Sequence, residues 1–222
     1  MIVFIIMLIL SMISIPLIYH LFNKTGLKIL FILYYLLSVI FLFKNVNVFN
    51  IDFSIMIVPY VSILSIIYIF TEKLNIKDMK KNIFMVSSYI LFIIILIIMF
   101  LLYSQSVTDL VTTNLNQMLS KNILLLVLYS IMTVISFYST YKIYNIIKKS
   151  SDVLFINISL TTILIGFIDC ILFNIIVNIG IIGLDAAIKL GLGNYLFKIV
   201  LSIMFIPVIY YMINRRKSLW LM

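Results

Sequence analysis

The chain has 222 residues, of which 65% are hydrophobic and 10% charged, with a mean hydropathy of +1.29. So large an apolar excess cannot be hidden in one soluble core, and the class it points to is a polytopic membrane protein. The formal net charge of +9 does not argue for a nucleic-acid partner, because the basic residues stand in short stretches between apolar runs and form no basic domain. A single cysteine excludes a disulfide framework within the chain and makes no metal site on its own.

Seven apolar stretches, near 2–19, 27–43, 54–70, 83–103, 122–141, 153–179 and 194–213, are long enough or nearly so to cross a membrane. The requirement is about 30 Å of hydrocarbon at about 1.5 Å per helical residue. The first stretch lacks a basic leader and a small-residue cleavage site, so it is expected to stay as a helix. In the third, Pro59 is expected to free a carbonyl and kink the span, with Ser62, Ser65 and Glu72 following along one face. The longest polar stretch, Ser104 to Lys121, reads as a loop. No linker or soluble insert divides the chain, so residues 1–222 are expected to form one domain, an all-α transmembrane bundle of about seven helices.

The connecting stretches alternate in charge. Lys24, Lys28, Lys73, Lys77, Lys80, Lys81, Lys142, Lys148, Lys149, Arg215, Arg216 and Lys217 fall on one side, and only Lys44, Lys121 and Lys189 on the other. By the positive-inside rule the first set is cytoplasmic, the N-terminus is outside and the C-terminus inside.

Asp169 and Lys198 are the only charged side chains well inside the apolar runs. Such groups cost several kcal/mol in hydrocarbon unless paired, solvated or set in a cavity, which makes them functional candidates. Asp169 lies about 24 Å from the inner end of the sixth stretch and Lys198 about 6 Å from the outer end of the seventh, the same level in a membrane of about 30 Å. Thr162, Gly166, Asp169 and Phe173 share one helical stripe, and Tyr195, Lys198 and Ser202 share another. The alternative is a buried ion pair that pins two helices, with Gly166 and Ser202 serving close packing.

The order of motifs resembles the VUT family, bacterial transporters of queuosine precursors. Leu21-Phe-Asn-Lys-Thr-Gly-Leu-Lys28 is similar to the turn after an extra N-terminal helix that precedes the family's six-helix core. Thr71-Glu-Lys-Leu-Asn75 is similar to its T-E-x-x-G, and Ile168-Asp-Cys-Ile-Leu-Phe173 to its I-D-T-x-x-F. Tyr195-Leu-Phe-Lys198 and Pro207-Val-Ile-Tyr210 resemble its Y-x-x-K and P-x-x-Y. Where the family pattern carries other polar groups, this chain has Tyr68, Phe137, Thr140, Asn157 and Gly166, and Asn75 stands at the glycine of T-E-x-x-G. Any change of substrate specificity is therefore expected in that polar lining.

The resemblance implies a multi-pass transporter in the bacterial inner (cytoplasmic) membrane that imports 7-deazaguanine-type bases, preQ0, preQ1 or queuine, for salvage into tRNA queuosine. Its partners would be that small 7-deazapurine and the lipid bilayer, with homo-oligomerisation left open and no cofactor or enzymatic step. The substrate-binding set it implies is Asp169, Lys198, Phe173, Tyr195, Thr162, Ser62 and Glu72. One carboxylate can accept the ring N–H and exocyclic amine together, while Lys198 donates to the ring carbonyl or neutralises Asp169 in the empty site. Phe173 or Tyr195 would stack on the ring.

Two other classes remain open: a transporter of another small nutrient, and a membrane sensor or immunity protein that signals through a partner. An enzyme reading would pair Cys170 with His20, but the two are expected about 25 Å apart in depth.

Overall fold

The computed structural model describes residues 2–42, 44–48, 50–74, 76–102, 123–178 and 183–214. The expected loop Ser104–Lys121 and the basic tail Arg215–Lys217 lie outside them.

Helix α1, Ile2–Phe41, is broken at Asn23, whose φ of 52° and ψ of −143° leave the helical region. Asparagine tolerates positive φ better than most residues, and the break falls where the sequence interrupts its apolar run. The two arms fold back on each other. The Tyr34 hydroxyl on the second arm reaches the Ser11 carbonyl on the first at 3.1 Å and also contacts Ser14.

A short hairpin follows, a small addition to a chain that is otherwise helical as expected. Strands β1, Asn45–Val48, and β2, Ile51–Ser54, pair antiparallel, with Asn45 opposite Ser54 and Val48 opposite Ile51. In β1 the alternation of Asn-Val-Asn-Val exposes the asparagines and half-buries the valines, while β2 ends in the buried Phe53 and Ser54. Asn50 takes the positive φ, 62°, that the tight turn requires.

Helix α2, Ile57–Lys73, is buried at every position from Ile57 to Thr71. A helix that is apolar all round belongs in the centre of a bundle, and α2 touches α1, the next two long helices and the last one. Pro59 sits in its first turn, where the missing N–H would have no intrahelical partner anyway, so the expected kink is absent. Interior prolines occur instead at Pro16 of α1 and at Pro207 of the last helix.

Helix α3, Ile76–Leu102, begins before the apolar stretch that predicts it, and α4, Ile123–Lys148, runs past the end of its own. Helix α5, Leu154–Gly166, passes into a π-helical segment, Phe167–Leu172, and then α6, Phe173–Asn178. Helix α7, Leu184–Asn214, starts earlier than the stretch at 194–213 because Asp185 and Lys189 face outward from an otherwise helical run.

The outward surface is apolar. Val3, Ile6, Leu10, Ile13 and Leu17 form one exposed stripe on α1, and Leu160, Leu164, Leu196 and Val200 expose others on α5 and α7. Inside lie hydroxyls that return their protons to their own helix, as Ser65 does to Val61 (2.9 Å), Thr133 to Tyr129 (2.7 Å) and Thr161 to Asn157 (2.6 Å). That satisfaction within one helix is what hydrocarbon demands of polar groups. Among the described residues, α1, α4, the α5–α6 run and α7 are long and apolar enough to cross a membrane. The chain is a membrane-embedded helical protein.

Candidate functional site

Asp169 lies in the π-helical segment between α5 and α6. A π turn adds a residue to the helical circuit and redirects the side chains beside it, and such turns recur at functional sites. Gly166, just before it, is a close-approach position. A Cβ there would sit 3.0 Å from the Tyr195 ring, so the missing side chain lets that ring pack closely on α5 beside the Lys198 stem.

Lys198 is fully buried and its ammonium donates to Asp169 Oδ2 at 2.5 Å. The same oxygen accepts from the Ser136 hydroxyl of α4 at 2.7 Å and lies 2.6 Å from the Tyr60 hydroxyl of α2. Tyr60 and Ser136 are themselves 2.7 Å apart. The phenol has one proton, so the two hydroxyls share a chain that ends on the carboxylate. The Lys198 ammonium also stands 4.9 Å from the centre of the Tyr60 ring, a cation–π contact away from water. Four elements therefore converge on one oxygen.

The other oxygen, Oδ1, is buried with no hydrogen-bond partner among the described residues. A carboxylate has acceptor capacity for several donors, and an unused buried one costs free energy. Two cavities of about 20 Å³ flank the group, one reaching Tyr129, Thr133 and Phe173, the other reaching Ser139 and Ile165. Each has room for about one water, far below the several hundred Å³ of a small-molecule pocket. This is a closed arrangement with an acceptor left in reserve.

On the side away from the lysine-rich helix ends, the hairpin docks on α7. The Ser54 N–H donates to Asn194 Oδ1 at 2.7 Å, and Phe53 stacks on Phe197 with ring centres 3.7 Å apart. Asn194 is four residues from Lys198, so the hairpin sits about 6 Å above the ammonium's place on α7.

The sequence-derived residues divide clearly. Asp169 and Lys198 meet, and Phe173 lines one cavity with its ring 5.9 Å from that of Tyr129. Thr162 is buried against the Tyr68 hydroxyl at 3.1 Å, about two turns from Asp169 along the helix. Tyr195 packs over Gly166 and lines neither cavity. Ser62 uses its hydroxyl on the Val58 carbonyl of its own helix at 2.9 Å. Glu72 is at the lysine-rich end, bonded to Tyr144 and Lys148 at 2.7 Å each, and takes no part at Asp169. His20 is exposed on α1, whereas Cys170 is buried beside Asp169.

Tyr60 and Ser136 escape the reading of the sequence. Ser136 nevertheless belongs to a stripe, Tyr129, Thr133, Ser136, Thr140 and Tyr144, whose spacing puts one hydroxyl per turn on a single face of α4. Tyr60→Phe removes one donor while Lys198 and Ser136 still hold Oδ2. It is expected to cost about 1–2 kcal/mol, measured by reversible unfolding in mixed micelles. Compared with known proteins, the chain matches no family model, no curated protein and no solved structure.

Proposed function

We propose that the chain is a membrane transporter in which Asp169 and Lys198 form the substrate site, and that its substrates are queuosine precursors of the 7-deazaguanine type. The observation that carries this reading is the unpartnered Asp169 Oδ1, an acceptor kept ready beside a carboxylate that Lys198 already neutralises. The flat base would present its ring N–H and exocyclic amine to Asp169, and Lys198 would turn to the ring carbonyl. Phe173 and Tyr129 lie where they could flank the ring. The substrate itself comes from the motif resemblance.

In this reading the two arms of α1, then α2, α3, α4, the α5–α6 run and α7 are seven spans in a bacterial cytoplasmic membrane. The lysine-rich ends face the cytoplasm, the N-terminus lies outside and the C-terminus inside. The closed arrangement is then the empty, occluded state, and transport requires the hairpin end and the lysine-rich end to open in turn.

The small cavities favour a second reading, in which the ion pair only pins α7 to α2, α4 and the π segment. One experiment separates them. In a bacterial strain lacking precursor synthesis and its own importer but carrying the salvage enzymes, expression of this chain with a low supply of precursor is expected to restore queuosine in tRNA. Asp169→Asn is expected to reduce that signal at least about tenfold, since a charge-assisted bidentate contact is lost. Restoration unaffected by Asp169→Asn would leave the pair a strut, and no restoration from a well-expressed chain would remove the queuosine reading.

A further inference from the structure

A larger cavity lies at the lysine-rich end, where α2, α4, α5 and α7 converge. It measures about 160 Å³ and is lined by Glu72, Lys148, Asp152, Asn157, Tyr210 and Asn214. Its charges are two carboxylates and one ammonium, so it favours a cation. The Glu72 carboxylate is held from one side by Tyr144 and from the other by Lys148. Lys148 is 41% exposed against 14% for Glu72, so the ammonium is the half of that pair that can leave for water.

The informative residue is Asn157. It is 98% buried, since only 2% of its surface is exposed, and it lines the cavity. Its amide nitrogen is fixed by a 3.0 Å bond to the Ser151 carbonyl, which identifies the other atom as the acceptor Oδ1. That oxygen accepts no hydrogen bond among the described residues. A buried carbonyl oxygen without a donor costs about 1–3 kcal/mol, so an acceptor left open beside two carboxylates is arranged for an incoming donor. Asn157 lies on the same helical run as Asp169, about 18 Å away along it, with Thr162 and its partner Tyr68 in between.

We propose that this vestibule is a second binding site, one that takes a small solute bearing a primary ammonium next to N–H donors, and that the solute rests there on its way from or to Asp169. The proposal builds on the transport reading and adds a preference among substrates. An aminated base is held by Glu72, Asp152 and Asn157 Oδ1, whereas a neutral nitrile offers these acceptors no charge.

The test uses the full chain in lipid nanodiscs with Cys170→Ala and a reporter substitution, Ile213→Cys, in the cavity wall. Alkylation of the reporter by a polar maleimide is followed with 7-aminomethyl-7-deazaguanine or its 7-cyano counterpart present, and uptake is measured in parallel. The aminated base is expected to slow alkylation at roughly tenfold lower concentration than the cyano base, and Asn157→Leu to erase about that advantage. Asn157→Asp, which keeps an acceptor and adds charge, is expected to strengthen protection, and Asp169→Asn to leave it unchanged. Uptake without protection, or protection indifferent to Asn157, overturns the vestibule and leaves transport standing. Protection that vanishes with Asp169→Asn assigns all binding to the deep site and also overturns it. Protection without uptake keeps the site and removes the transport reading.

Discussion

Lys198→Met is expected to destabilise the folded chain by about 3–5 kcal/mol, more than the double replacement Asp169→Leu with Lys198→Met. The single change leaves the Asp169 carboxylate inside the bundle with only the hydroxyls of Tyr60 and Ser136 to hold it. The double change removes the charge along with its partner, and apolar side chains of similar volume recover most or all of the loss, as buried ion pairs commonly show. Asp169→Leu alone is expected to resemble the lysine deletion, because it strands a fully buried ammonium whose remaining contact is the Tyr60 ring. The measurement is reversible unfolding of the four chains in mixed micelles, read as a double-mutant cycle. Its second readout is uptake. A double variant that is as stable as the parent and imports nothing assigns the pair to transport; one that imports normally assigns it to neither stability nor substrate.

The ion pair is legible in the sequence for a physical reason: hydrocarbon penalises charge so heavily that two charges at one depth have few choices but each other. Tyr60 and Ser136 are harder to see because hydroxyls in membrane helices are usually satisfied by their own backbone, as Ser62 and Thr133 are here. The α4 stripe places Ser136 on the right face, but nothing local tells it from Thr140, which returns to the Ser136 carbonyl. The central position of α2 follows from an apolar character that leaves no face for water. The early start of α7 is missed because Asp185 and Lys189 look like loop residues, although one polar face on a helix emerging from the apolar layer costs little. The hairpin is missed because four-residue strands carry too short an alternation to stand out beside runs of twenty apolar residues.

That hairpin is the element whose loss the packing makes easiest to provoke. A lone two-stranded ribbon is marginal by itself, so this one depends on its docking to α7. Gly193 is the critical contact, since a Cβ there would fall on the Asp52 carbonyl oxygen, a backbone atom that no rotamer change can move. Gly193→Ala is therefore expected to push β2 away from α7, loosen the bond between the Ser54 N–H and Asn194, and part Phe53 from Phe197. Overpacking of this kind costs about 1–3 kcal/mol, and each 1.4 kcal/mol or so multiplies the undocked population about tenfold. With Phe53→Cys as reporter in a Cys170→Ala chain, alkylation by an impermeant maleimide is expected to accelerate about tenfold or more. Gly183→Ala is the control: its φ of 81° makes the change strained, but no atom of the described residues lies within 4 Å of the added Cβ, so the hairpin stays docked. If the hairpin closes the path to Lys198, the Gly193→Ala chain also loses coupled uptake, because a site open at one end cannot be occluded before the other end opens. Faster alkylation with uptake intact would make the hairpin a cover without a gating role, and unchanged alkylation would show that α7 and β2 yield to each other without separating.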